Sequence, residues 1–180
     1  MHCEQACLFP HSYGLPGRYT FETAGFDSVS AKVGISRSSI DLREMNATLP
    51  QLSSLMIVSA AERIGDHERG AQTPFHYQDL LFYPNLSGHL SKRQSNEMTL
   101  FFTVYPSKIS PQDAIIEILK DDRQLGRSEV KLPEPGEAGE IQFTSSIPVQ
   151  NYPPGIYTLR VSLPAGDKVI SRSRTFFLTP

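Results

Sequence analysis

Two passages of this chain share their words and the order of those words. PGRYT, at Pro16, Gly17, Arg18, Tyr19 and Thr20, is followed by ISRS at residues 35–38, and PGIYT, at Pro154, Gly155, Ile156, Tyr157 and Thr158, is followed by ISRS at residues 170–173. Two matches in one order at nearly one spacing read as an internal repeat rather than as chance reuse of good turn residues. Each copy has a mechanical meaning. Proline at the second position of a type II turn presets φ, and glycine at the third supplies the positive φ that other residues resist. The chain then enters a strand, turns again (AGFDSVSAKV in the first copy, PAGDKV in the second) and returns through ISRS. Both passages read as the last hairpin of the same kind of β-domain.

What precedes each hairpin differs. Ahead of the second, EMTLFFTVYP puts Met98, Leu100, Phe102 and Val104 on one face and Thr99, Phe101, Thr103 and Tyr105 on the other, the period of a strand. AIIEILKDD alternates in the same way, DDRQLG offers a turn, and EVKL reads as the return strand. After the loop PEPGEAG, IQFTSSIPV sets Ile141, Phe143, Ser145 and Ile147 on one side. IYTLRVSL sends Tyr157, Leu159, Val161 and Leu163 to the core and Thr158, Arg160 and Ser162 to water, and KVISRSRTFFLT closes. Upstream, SSLMIVSA and FHYQDLLFYPN are two further strands around the charged loop AERIGDHERGAQTP, while SGHLSK reads as a turn. Roughly seven strands between Leu52 and Thr179 have the spacing of a β-sandwich.

The expected fold is therefore all-β. An immunoglobulin-like antiparallel β-sandwich at residues 46–180 is preceded by a partial hairpin unit at residues 1–45, the tail of a first β-domain. Sandwiches of this type place a tyrosine at a strand entrance with its hydroxyl bonded back to the preceding connection. Tyr19 and Tyr157 are candidates for that role, with Pro16, Gly17, Pro154 and Gly155 as the turns that set them. Fourteen prolines and twelve glycines among 180 residues agree with many short elements between turns.

PFHYQDLLFYPN, LFFTVYP, a charged hairpin, PPGIYTLRV and a final SRSRTFFLT resemble the region that follows the von Willebrand factor A-like domain in bacterial "VWFA-related" proteins. There a Pro-Gly-x-Tyr hairpin is likewise followed by a short linker, an LSSL-like stretch and a "DLLLYPN"-like stretch. The resemblance covers residues 15–180, and its most specific word is DLLFYPN, from Asp79 to Asn85. It implies a piece of a larger cell-envelope or secreted protein, outside the cytoplasm. The metal site of A domains does not carry over. Its Asp-x-Ser-x-Ser loop is approached only by DSVS at Asp27, where Val29 stands in place of the first serine.

Composition narrows the partners. A net charge of -2 leaves no general attraction to nucleic-acid phosphates or anionic lipid. No apolar run approaches the roughly 18 residues of a membrane-spanning helix. The opening MHCEQACLFPHSYG lacks the basic start and apolar stretch of a secretory signal. Cys3 and Cys7 read as free thiols rather than as a framework.

Catalytic patterns fail on spacing. HERGA at His67 begins like HExxH, but Ala71 replaces the second histidine. DDRQLG has Arg123 at the third position of a calcium loop and Leu132 at the twelfth, where glutamate belongs. There is no G-x-S-x-G elbow, glycine-rich phosphate loop or paired CxxC. His76 and His89 read as structural or surface histidines, and Asp66, His67 and Glu68 as a solvated loop. The expectation is thus a non-catalytic structural or protein-interaction module, not an enzyme, with no cofactor and no metal. It would meet a protein partner or a second copy through unpaired β edges. The alternative expectation is a carbohydrate- or metal-binding module, or a small hydrolase, built on the loop between Glu62 and Asp79.

Overall fold

The computed structural model describes residues 15–42, 48–64, 75–108, 110–137 and 139–180. It is all-β, and the chain separates into two units, Met1–Met45 and Asn46–Pro180.

In the first unit, β1 (Gly17–Asp27) and β2 (Lys32–Leu42) form an antiparallel ladder from Gly17 opposite Leu42 to Asp27 opposite Lys32. The Asp27 carboxylate makes the turn, accepting hydrogen bonds from Ser30 Oγ and from Val29 N at 2.9 Å. The Ser30 hydroxyl first, and then the two backbone amides, hold this carboxyl below the usual carboxylate range. Ala31, with φ of 54°, returns the chain into β2. Among the described residues, β1 and β2 pair only with each other.

The second unit runs β3 (Gln51–Leu52), β4 (Met56–Arg63), β5 (His76–Tyr77), β6 (Leu80–Pro84), β7 (His89–Ser91), β8 (Glu97–Tyr105), β9 (Asp113–Lys120), β10 (Arg123–Lys131), β11 (Ile141–Pro148), β12 (Gly155–Ala165) and β13 (Lys168–Thr179). One sheet has the order β11-β8-β4-β6-β5, with β3 also on β8; the other has the order β10-β9-β12-β13-β7. Every pairing is antiparallel except β13 with β7. The alternation read from sequence fixes the core: Met98, Leu100, Phe102 and Val104 of β8 and Tyr157, Leu159, Val161 and Leu163 of β12 are all buried in one cluster. Ile116 and Ile118 of β9 and Phe176 and Leu178 of β13 join it, as do Ile57 of β4 and Ile141 of β11. Each such side chain contributes roughly 1.5–3 kcal/mol by leaving water. This is the expected β-sandwich, with β9, β12 and β13 adjacent as the C, F and G strands are in immunoglobulin-like domains.

Several local expectations are corrected. SGHLSK is not a turn: its centre is β7, which supplies partners to the outer edge of β13 from Phe177 to Thr179. FHYQDLLFYPN divides into β5 and β6, because Gln78, with φ of 55°, folds it into a tight hairpin. The return strand expected at EVKL begins six residues earlier, at Arg123, since Asp121 and Asp122 both take positive φ, the geometry of a two-residue hairpin turn. Ser162 is buried rather than facing water, because β9 and β13 flank it on both sides. Phe101, on the outer face of β8, joins Met56, Phe82 and Tyr77 in a second small cluster, its ring edge-on to Phe82 at 5.4 Å.

Candidate functional site

Tyr157 sits at the entrance of β12 and donates its hydroxyl proton to the carbonyl of Pro153, four residues back. Its ring stacks on Phe176 at 5.4 Å, with Tyr152 at 5.7 Å and Lys120 Nζ 5.4 Å above it. Burial, with a smaller contribution from Tyr152, raises its pKa above the ordinary tyrosine value. Tyr19 makes the same bond, to the carbonyl of Leu15 at 2.7 Å. Pro16, Gly17, Tyr19 and Pro154, Gly155, Tyr157 thus build two copies of one corner, but Tyr157 is 1% exposed and Tyr19 is 37% exposed. The turn itself differs from expectation. Gly17 and Gly155 have φ of 159° and 155°, positive but far from the roughly +80° of a type II turn. They open the strand in a stretched conformation instead.

The second word of the repeat is not equivalent at all. In an antiparallel pair, directly opposed residues share a face and a one-residue slip exchanges faces. Tyr157 is opposite Phe176, which puts Ile170 and Arg172 on the core face of β13. Tyr19 is opposite Ile40, which puts Ile35 and Arg37 on the face away from Tyr19. Arg37 pairs there with Glu22 at 2.5 Å, both well exposed.

The inward arginines of β13 do what no sequence pattern announced. Arg172 Nε donates to the carbonyl of Leu52 at 3.2 Å, while Arg174 donates to the carbonyls of Leu55 at 3.0 Å and Asn85 at 2.6 Å. Desolvation lowers the Arg174 pKa, yet the guanidinium satisfies carbonyls that no strand pairs, and so ties one sheet to the other. Asn85 completes this junction. Its Oδ1 accepts from Gly88 N at 2.9 Å and Ser87 Oγ at 3.0 Å, and its Nδ2 donates to the His89 carbonyl at 2.7 Å. These bonds turn the chain from β6 in one sheet to β7 in the other. The signal for this was an asparagine three residues before a glycine, here Gly88 with φ of 70°.

Of the loop between Glu62 and Asp79, residues 65–74 lie outside the described residues, and Asp66, His67, Glu68 and Ala71 with them; so do Cys3 and Cys7. Its described ends are occupied structurally. Tyr83 donates to Glu62 at 2.9 Å, and Arg63 faces Asp79 at 3.5 Å. His76 Nε2 is buried without a partner among the described residues, and the exposed His89 ring stacks on Phe177 at 4.8 Å. No group of three or more His, Cys, Asp or Glu capable of holding a metal occurs among the described residues, and no described helix is long and apolar enough to cross a membrane.

A groove of about 500 Å³ runs between β10 and β11, the outer strands of the two sheets. Ile116, Ile118, Val130 and Ile147 line it, and small Gly126, Ser128 and Ser145 leave it open. An added Cβ at Gly126 would meet Tyr152 Oη at 2.5 Å, so a larger residue there would displace that ring.

No protein-family model matches this sequence, and no curated protein matches it significantly.

Proposed function

We propose that this chain is a non-catalytic structural or protein-interaction module, part of a larger bacterial cell-envelope or secreted protein of the kind the sequence resembles. One observation carries the reading: Tyr19, Phe21, Ile40 and Leu42 expose a shared apolar surface on a hairpin whose two edges have no strand partner among the described residues. Such edges and apolar faces invite other strands. The polar groups of the second unit, by contrast, serve its own framework: Arg160 with Glu117 at 2.8 Å, Arg174 with two carbonyls, Asn85 with its loop.

The test compares the full chain with residues 46–180 alone in sedimentation and thermal melting. The shorter protein should fold, melt cooperatively and self-associate less than the full chain. A shorter protein that does not fold, or that associates as strongly, defeats the reading. Adding zinc or calcium should leave both melting temperatures unchanged, because a tight site would raise them by mass action.

A further inference from the structure

Aligned by register rather than by letters, the two hairpins share one pairing pattern, and at their open ends they also share apolar inward positions; nearer the turn the likeness stops, with Thr23 and Gly25 where the second hairpin has the buried Val161 and Leu163. Gly17 opposite Leu42 and Tyr19 opposite Ile40 correspond to Gly155 opposite Leu178 and Tyr157 opposite Phe176. Phe21 then corresponds to Leu159. One face of the first hairpin therefore carries Tyr19, Phe21, Ile40 and Leu42 where the second carries Tyr157, Leu159, Phe176 and Leu178. The second set is 0 to 2% exposed, the first 36 to 42%. The opposite face at the same end of the first hairpin is polar, with Arg18, Thr20, Glu22, Ser39 and Asp41.

The second hairpin shows what such a face is for. Its four side chains lie in the core with Leu100, Phe102 and Val104 of the other sheet. Its first strand also accepts a neighbour, β9, along the stretch from Thr158 to Ser162. The corresponding stretch of β1 is residues 20–24, unpaired on that side among the described residues. The corner is already formed in the first hairpin by the Tyr19 bond to Leu15, so docking need not organise it.

We infer that the hairpin of residues 17–42 is a closing hairpin for a β-sandwich that lacks its last two strands. Its partner presents an apolar sheet to Tyr19, Phe21, Ile40 and Leu42, and a free antiparallel edge strand to residues 20–24. This rests on the reading of the chain as an interaction module and names the partner class. Main-chain pairing supplies the attachment and the buried face supplies the register, as in other cases of strand addition. The polar opposite face at the open end disfavours docking there, since Arg18, Asp41 and the Glu22–Arg37 pair would all be taken out of water.

A graft tests this without knowing the partner, because the second unit is itself a sandwich with such a slot. In the full chain, residues 155–159 and 175–178 are replaced by residues 17–21 and 39–42, placing Gly17 at the position of Gly155 and Leu42 at that of Leu178 and keeping Val161, Leu163, Arg172 and Arg174. A control graft uses residues 18–22 and 38–41 in the same places, which turns Thr20, Glu22 and Ser39 inward. The inference expects the first graft to melt in one cooperative transition and the control to be unfolded; if both fold alike, it is overturned. Where the first graft fails to fold, the double variant Leu159→Phe/Phe176→Ile decides, since it places the first hairpin's four side chains on the native second hairpin. A cooperative transition, with a Tm loss smaller than the summed losses of the single variants, sustains the inference, because Leu159 and Phe176 are diagonal neighbours across the ladder. An additive or larger loss overturns it. Neither result depends on whether residues 1–45 cause self-association, so this inference and the proposed function fail separately.

Discussion

Tyr19 and Tyr157 make the same hydrogen bond over the same five residues, yet one keeps more than a third of its surface exposed and the other lies in the middle of a core. The bond is local: a strand opening after Pro-Gly places the ring over the chain it has just left, whatever surrounds it. What differs is the second layer. Around Tyr157 a second sheet and strand β9 complete the structure, whereas β1 and β2 have only each other among the described residues. An isolated two-stranded hairpin is marginal in water. The local motif therefore specifies a corner without conferring its stability, and the energy resides in what packs on it.

The sharpest way to break this comparison is to delete each ring. Tyr157→Ala should cost about 3–5 kcal/mol, as truncation of a large buried aromatic does, while Tyr19→Ala should leave the main melting transition unmoved. Equal losses, read by thermal melting of the two variants, would show that the first hairpin shares the core's cooperativity. The arginines give the next largest contrast. Arg174→Ala strands the carbonyls of Leu55 and Asn85 and should cost about 2 kcal/mol. Arg37→Ala removes only an exposed pair and should cost about 0–1 kcal/mol. Denaturant midpoints would separate the two.

Smaller effects sharpen the picture of the corner itself. Gly155→Val should cost about 1 kcal/mol, because a β-branched residue resists a φ of 155° and its Cβ would crowd Lys120 Nζ at 3.1 Å. The lysine end can move aside, so the loss should stay below that of Tyr157→Ala, and a loss rivalling it would mean that the turn rather than the ring carries the corner. Tyr157→Phe should also cost about 1 kcal/mol, the net worth of one hydrogen bond, with a signature in pH. Because the folded pKa of Tyr157 is raised, its contribution is fully present below the unfolded tyrosine value of about 10 and is lost as pH rises through the higher folded value. The wild-type melting temperature should therefore fall more steeply than that of the variant above pH ~10, and parallel curves would refute the assignment of this shift to Tyr157.

The sequence by itself determined whatever depends on neighbours along the chain. Alternation in EMTLFFTVYP and IYTLRVSL marked the core faces of β8 and β12, because side chains of a strand alternate with a period of two and only one face meets the other sheet. Pro-Gly-x-Tyr marked both corners, since the tyrosine and its acceptor are four residues apart. Tertiary structure alone decided the rest. ISRS means an inward arginine in β13 and an outward one in β2, because Gly34 stands between Lys32-Val33 and the word in β2 whereas Val169 leads straight into it in β13, shifting the word against its partner strand by a single position. It alone made a strand of His89–Ser91, whose reason for pairing lies 88 residues away at Phe177–Thr179. It alone brought Arg174 to carbonyls left free at the junction of the two sheets. Register and long-range pairing are properties of two segments at once, and no single segment encodes them.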